Sequence, residues 1–335
     1  VATRAFWEVL HRRGGADVYV TEYFRVHPQS YPRELILDSI IRNPTGRPVF
    51  AQLIGNSVQR MVETARQLQE YDIAGIDLNL GCPGPKVCGK SCGGALLREP
   101  ELVRELVLRL RDVVTGNLTV KTRIGYASEA EFPDLLDLFC SLPIQALAIH
   151  GRTVKERYHT PVHTREIAAA VAAAPFPVLA NGSMVCVDSA LAMLSKTGAA
   201  GLMMGRGAIR NPWIFEQLRQ HFSGDPIFQP RCIDMLEYIE DLFEIILREG
   251  RIQNELRHVR YLKKFMSFAV ADLFEGEFWN LLRRCHTSNE FLEICRDFLD
   301  TPRQLNLETD PESKVFCGVH ELMQAPIQKN APSVE

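Results

Sequence analysis

One stretch, residues 75–97 (GIDLNLGCPGPKVCGKSCGGALL), places a cysteine where it can do chemistry. Ile76, Leu78 and Leu80 alternate with Asp77 and Asn79 as a strand does, and Gly81, Pro83, Gly84 and Pro85 then forbid regular structure. Cys82 is therefore expected just past the C-terminal end of a strand, where parallel α/β folds build their active sites. A thiol with an ordinary pKa of about 8.5 keeps its proton at neutral pH, whereas a carboxylic acid has already lost it. A cysteine in this loop thus suits general-acid work. Cys88 and Cys92 follow within ten residues, but the loop offers no fourth ligand, so no metal site is expected.

Other reactive types recur at strand ends. Lys121 lies within VKTRIG, and a lysine pointing into a barrel is costly unless it meets a negative partner. Arg123, two residues on, points the same way and nearer the loop. Two later strands end in ANGS (180–183) and GRG (205–207), with a helix start at Asn211-Pro212. Glycines there let backbone N–H groups approach a phosphate, and Arg206 adds charge. HGRT (150–153) ends another strand and presents His150.

These residues need a scaffold, and the chain supplies one. β-branched runs at 16–24, 48–55, 75–81, 118–125, 146–152, 177–182 and 201–207 alternate with amphipathic segments such as 57–71, 100–114 and 129–140. This is the pattern of a (β/α)8 TIM barrel, an α/β fold, one strand short of eight. Residues 1–10 already read as the helix of a first βα unit, so the absent strand is the first. After residue 224 a proline-containing link leads to helical patterns without strands between them. The expected organisation is a catalytic barrel over 1–224, a small helical bundle over 231–305 and an irregular tail over 306–335.

Composition is ordinary for a folded chain: 335 residues, 46% hydrophobic and 24% charged, with no apolar run long enough for a membrane span. Nine scattered cysteines suit reduced thiols, and a cytoplasmic location and a monomeric state are expected. The net charge of −3 means that any polyanion must be held by a local basic patch. The segment 251–264 supplies one: Arg251, Arg257, Arg260, Lys263 and Lys264 against a single Glu255, with Arg283 and Arg284 extending it. The bland alternative is a solvated helix face.

The run Asp77-x-Asn79-x-Gly81-Cys82-Pro83, followed by Gly93-Gly94 leading into Ala95-Leu96-Leu97, resembles the tRNA-dihydrouridine synthase family. The resemblance extends over the barrel and the helical part. It implies an FMN-dependent enzyme that reduces a D-loop uridine of tRNA, with hydride from the flavin to C6, a proton from Cys82 to C5, and NADPH restoring the flavin. It places Gln52, Lys121 and His150 at the isoalloxazine and Asn181, Gly182, Ser183, Gly205 and Arg206 at the phosphate and ribityl chain. Arg25, Asn79 and Arg123 would surround an extruded uridine, and Lys263 and Lys264 would meet the tRNA backbone. The family's barrel normally opens with a strand ending A-P-M-x-G that covers part of the flavin, and this chain lacks it. TEYFRV, HGRT and HVRYLKKF look most like the branch acting on position 16, with position 20 the alternative. Competing readings are an FMN barrel acting on a free pyrimidine, which needs no basic helical part, and a tRNA-binding protein without flavin.

Overall fold

The computed structural model describes residues 3–27, 29–250, 252 and 254–324. Among them eight strands form one parallel sheet: β1 (Tyr19–Val20), β2 (Phe24–Arg25), β3 (Val49–Ile54), β4 (Gly75–Asn79), β5 (Asn117–Arg123), β6 (Ala146–His150), β7 (Val178–Asn181) and β8 (Gly201–Met203). The order is β1-β3-β4-β5-β6-β7-β8, with β2 also on β3, so sequential strands lie side by side and the sheet curls as an open barrel. The single strand expected at 16–24 is two short pieces. The break has a cause: the Thr21 hydroxyl accepts the Gln52 N–H at 3.0 Å and replaces a main-chain rung of the ladder.

Helices cover the outer face by a simple repeat. Met61, Thr64, Ala65 and Leu68 are buried on the helix Val58–Leu68, and Val103, Leu106, Val107 and Leu110 on Pro100–Arg111. Both sets follow the i, i+3, i+4, i+7 spacing of one helix face. The inner face is polar at its C-terminal end, where register decides which side chains meet. Gln52 pairs with Asp77 and Asp77 with Thr119, whereas Arg123 pairs with His150, His150 with Asn181 and Asn181 with Met203. These rows hold Gln52, Arg123, His150 and Asn181 among the residues singled out above.

The helical part contains Cys232–Arg248, Glu255–Ala269, Glu277–Leu282 and Ser288–Leu299. It is fastened to the barrel at two places. The helix Arg4–His11 packs on Cys232–Arg248, and just beyond its end Arg12 and Arg13 both reach Asp241, at 2.9 and 2.7 Å. Arg210, fully buried at the end of the helix Arg206–Arg210, pairs with Asp272 at 2.9 Å and donates to the Ala269 and Glu308 carbonyls. The segment after 305 is not irregular throughout: Val319–Gln324 is a helix that packs on Val187–Thr197. The nine cysteines are free thiols. No helix of the described residues is long and apolar enough to cross a membrane, and no group of metal-ligating side chains is found among them.

Candidate active site at the barrel mouth

Cys82 is half-buried at the head of the loop after β4, and a relay of amides holds that loop. Asn79 ends the strand and its Oδ1 accepts the N–H groups of Gly81 and Cys82, both at 3.0 Å, which turns the chain sharply out of the sheet. The other end of the same amide donates to Gln52 Oε1 at 2.8 Å. Gln52 Nε2 donates to Asp77 Oδ2 at 2.7 Å, and Thr119 donates to Asp77 Oδ1 at 2.7 Å. Four side chains on three strands thus fix one cysteine. The Cys82 carbonyl is fixed too, accepting from Gly94 N–H at 3.1 Å and from the Cys88 thiol at 3.4 Å. Burial raises the Asp77 carboxyl, and its bonds from Thr119 and Gln52 pull the other way.

Beside this loop the mouth is strongly cationic. Lys121, half-buried, has its pKa lowered to about 8, first by burial and then by the charge of Arg123, with Asp77 and Cys82 opposing. Arg123 is 1% exposed and donates to three carbonyls, Gly81, Thr153 and Arg157, at 2.9, 2.7 and 2.8 Å. It therefore ties the Cys82 loop to the loop after β6. Tyr158 on that second loop sits among the charges: the Arg206 guanidinium is 4.0 Å and that of Arg123 5.1 Å from its ring centre, and His150 meets it edge-on at 5.7 Å.

His150 is buried and both ring nitrogens are occupied. Asn181 spends its amide N–H on the Met203 carbonyl, so its Oδ1 must accept from His150 Nδ1 at 2.7 Å. That leaves Nε2 as an acceptor facing Arg152 Nη1 at 3.3 Å. Burial holds the imidazole pKa well below its usual value, and the charges of Arg123, Lys121 and Arg152 add to the effect, so the ring is neutral. Arg152 is itself fully buried, its pKa pulled down to about 10 by burial and then by Arg206. Its donors go to Thr160 O at 2.6 Å, Ser183 Oγ at 2.7 Å and Cys317 O at 2.8 Å.

The turn after β7 is built for close approach. Gly182 and Ser183 both have positive φ, +126° and +52°. Gly207 lies so near this turn that an added Cβ would fall 1.8 Å from the Met184 carbonyl oxygen, so only glycine lets Arg206 stand beside Ser183. Above Gly205 there is open space. Arg206 Nη1 donates to Val315 O and the Ser183 hydroxyl to Cys317 O, at 2.7 and 2.9 Å.

The structure brings Cys82, Asn79, Gln52, Lys121, Arg123, His150, Asn181, Gly182, Ser183, Gly205 and Arg206 to one end of the sheet. Arg25, at the end of β2, is half-buried near the same loop, where its charge acts on Tyr23 and on the Cys92 thiol. Lys263 and Lys264 lie elsewhere, on the helix Glu255–Ala269. Lys263 donates to the carbonyls of Arg283 (3.0 Å) and Cys285, so it caps the helix Glu277–Leu282. Lys264 is exposed, as are Arg257 and Arg260, whereas Arg251 lies outside the described residues. Sequence reasoning passed over Arg152 and Tyr158. The signal for Arg152 was its spacing, two residues past His150.

The dihydrouridine synthase family model matches residues 1–302. The chain belongs to the dihydrouridine synthase family. It is 28% identical over 310 residues to the tRNA-dihydrouridine(16) synthase of Neisseria meningitidis serogroup B, covering 89% of this chain and 91% of that one. It is 34% identical over 223 residues to tRNA-dihydrouridine synthase B of Vibrio cholerae, covering 66% and 69%. Among solved structures, the barrel resembles a morphinone reductase variant in complex with tetrahydroNAD, with TM-score 0.50, 10% identity, and coverage of 66% of this chain and 82% of that one. The chain is thus an oxidoreductase of the dihydrouridine synthase family, with a parallel α/β barrel and a helical C-terminal part.

The depressed Lys121 pKa makes a stability prediction. The folded state favours the neutral amine, so its penalty is full below about pH 8 and lifts as pH rises toward the unfolded value of about 10.4. Lys121→Met should therefore raise the melting temperature of the ligand-free protein at pH 7, by about 1–4 °C per kcal/mol relieved. The gain should shrink as the pH is raised through that window. A variant less stable than the parent at pH 7 would contradict the assignment.

Proposed function

We propose that this chain reduces a D-loop uridine of tRNA to 5,6-dihydrouridine with FMN as its cofactor and NADPH as the source of electrons. One observation carries the reading: a cysteine held in a fixed loop shares its opening with four cations, Lys121, Arg123, Arg152 and Arg206, that carboxylates do not balance. Among the main charges bearing on these four, Asp77 at Lys121 and Glu156 at Arg152 are the carboxylates, and those at Arg123 and Arg206 include none. Burying charge without a counter-charge is costly, so such a mouth suits an anionic ligand.

The donor set fits FMN. Ser183, Asn181, Arg206 and the open main chain at Gly182 and Gly205 would hold the phosphate and ribityl chain, and Lys121 the side of the ring that carries negative charge on reduction. Gln52 and His150 would border the ring, His150 as a neutral imidazole. Once bound, reduced FMN supplies a hydride to uracil C6.

The protein's own part is positional and acid–base. Asn79, Gln52 and Asp77 hold the Cys82 loop, Cys82 gives its proton to C5, and water restores it. Hydride and proton together saturate the C5=C6 bond. Arg25 would meet the extruded nucleotide at the rim, while Asn79 and Arg123, whose hydrogen bonds go largely to the loops, act on the substrate from beneath. Position 16 is the leading site, with position 20 the alternative; the likeness to a tRNA-dihydrouridine(16) synthase over nine-tenths of both chains is consistent with it, and the chain is as similar to a synthase B. Exposed Arg257, Arg260 and Lys264 on one helix face would give RNA a phosphate-binding edge, which supports a macromolecular substrate over a free pyrimidine.

Two experiments test these assignments. Cys82→Ala should leave FMN bound and reducible by NADPH while lowering dihydrouridine formation by at least about 100-fold, a general-acid contribution; undiminished turnover would remove Cys82 from the acid role. Arg260→Ala with Lys264→Ala should weaken tRNA binding and lower the salt slope by about 1 or more, without loss of flavin. Lys263 is left intact there, because its loss would uncap a helix. An unchanged slope would return this face to simple solvation.

A further inference from the structure

Residues beyond 302 lie past the region matched to the family, yet they reach the barrel mouth. From Arg303 the chain is tied to the helical part through Cys232 N–H to Arg303 O at 2.8 Å and Leu305 N–H to Pro230 O at 2.9 Å. It then passes Arg210 and reaches the helix Val319–Gln324. Between these anchors, residues 315–318 sit on the donors assigned above to a phosphate. Val315 O accepts from Arg206, and Cys317 O accepts from both Ser183 and Arg152. Gly318 makes the fit possible: its φ is +79°, and an added Cβ would lie 2.6 Å from Pro161 Cα and 3.2 Å from Arg152 Nη2. Phe316 and Val319, buried in a small cluster with Val185, hold the segment down.

The two carbonyls satisfy donor hydrogens but bring no charge. Hydrogen bonds from guanidinium to an ionised acceptor are roughly twice as strong as those between neutral groups, and a buried cation gains further from an anion. We propose that residues 315–318 form an autoinhibitory strap, a neutral stand-in on the donors that the cofactor phosphate takes, which binding of FMN displaces. This rests on the reading of Ser183 and Arg206 as phosphate donors. It makes cofactor loading a competition: apparent affinity is the intrinsic affinity scaled by the fraction of molecules with the strap open. A strap closed nine-tenths of the time would weaken FMN binding about tenfold.

The test has two parts, both on the full chain. FMN affinity is measured by flavin fluorescence for the parent, for Phe316→Ala, which loosens the strap without touching an arginine, and for Arg206→Ala. Phe316→Ala should bind FMN about tenfold more tightly and Arg206→Ala more weakly. In parallel, hydrogen exchange at the amides of 315–319 should speed up on adding FMN to the parent protein, and this result stands whether or not Phe316→Ala folds. If Arg206→Ala weakens FMN but Phe316→Ala is unchanged or weaker, or if FMN slows exchange at 315–319, the segment is a wall of the site and the strap is overturned. If Arg206→Ala leaves FMN affinity unchanged, the phosphate assignment fails instead, and the strap with it.

Discussion

The constraint on which the rest of the site depends is positive charge in excess of its carboxylates: four cations face Asp77, at Lys121, and Glu156, at Arg152. Arg123 and Arg152 are 1% and 0% exposed, and Lys121 and Arg206 complete the group. Burial lowers the proton affinity of each, neighbouring cations add to this at Lys121, Arg123 and Arg152, and Lys121 falls to about 8. The fold tolerates this because donor hydrogens are absorbed by main-chain carbonyls: Gly81, Thr153 and Arg157 for Arg123, Thr160 and Cys317 for Arg152, and Val315 for Arg206. For the three arginines hydrogen bonding is satisfied by these acceptors while charge is not. An enzyme whose cofactor is a phosphorylated, reducible ring would have use for that imbalance.

The same arginines organise the loops. Arg123 joins the loop after β4, which carries Cys82, to the loop after β6, and Arg152 joins the loop after β6 to the turn after β7. Tyr158 meets the guanidinium groups of Arg123 and Arg206 with its ring. The cysteine is set from the other side by the chain Thr119, Asp77, Gln52, Asn79, whose order follows the strand register. Acid and anion site are therefore both built at the C-terminal ends of strands β4 to β8 of one sheet, which keeps their separation fixed.

Much of this was legible in the sequence because it is local. Alternating Ile76, Leu78 and Leu80 ended by Gly-Cys-Pro give a strand and a cysteine in the loop beyond it, and the places of Lys121 within a strand, His150 and Asn181 at strand ends and Arg206 just past one follow in the same way. What was not legible depends on partners distant in the chain. The split of the first strand region turns on one hydroxyl, Thr21, meeting an amide 31 residues away. Arg152 looks like an ordinary loop arginine until Ser183 and Cys317 close on it. Lys263 shares a basic stripe with Lys264, and only the fold shows that it is spent on two carbonyls. The segment after 305 reads as irregular by composition, and its contacts with Arg206 and Ser183 span more than a hundred residues.

The central claim is that a fixed cysteine and a cationic flavin mouth act together on a uridine in tRNA. The most direct measurement is mass spectrometry of tRNA lacking D-loop modification after incubation with the FMN-loaded protein and NADPH. The account predicts a gain of two hydrogens on one D-loop uridine, at position 16. A tRNA that gains none, with a flavin that NADPH still bleaches, would contradict it.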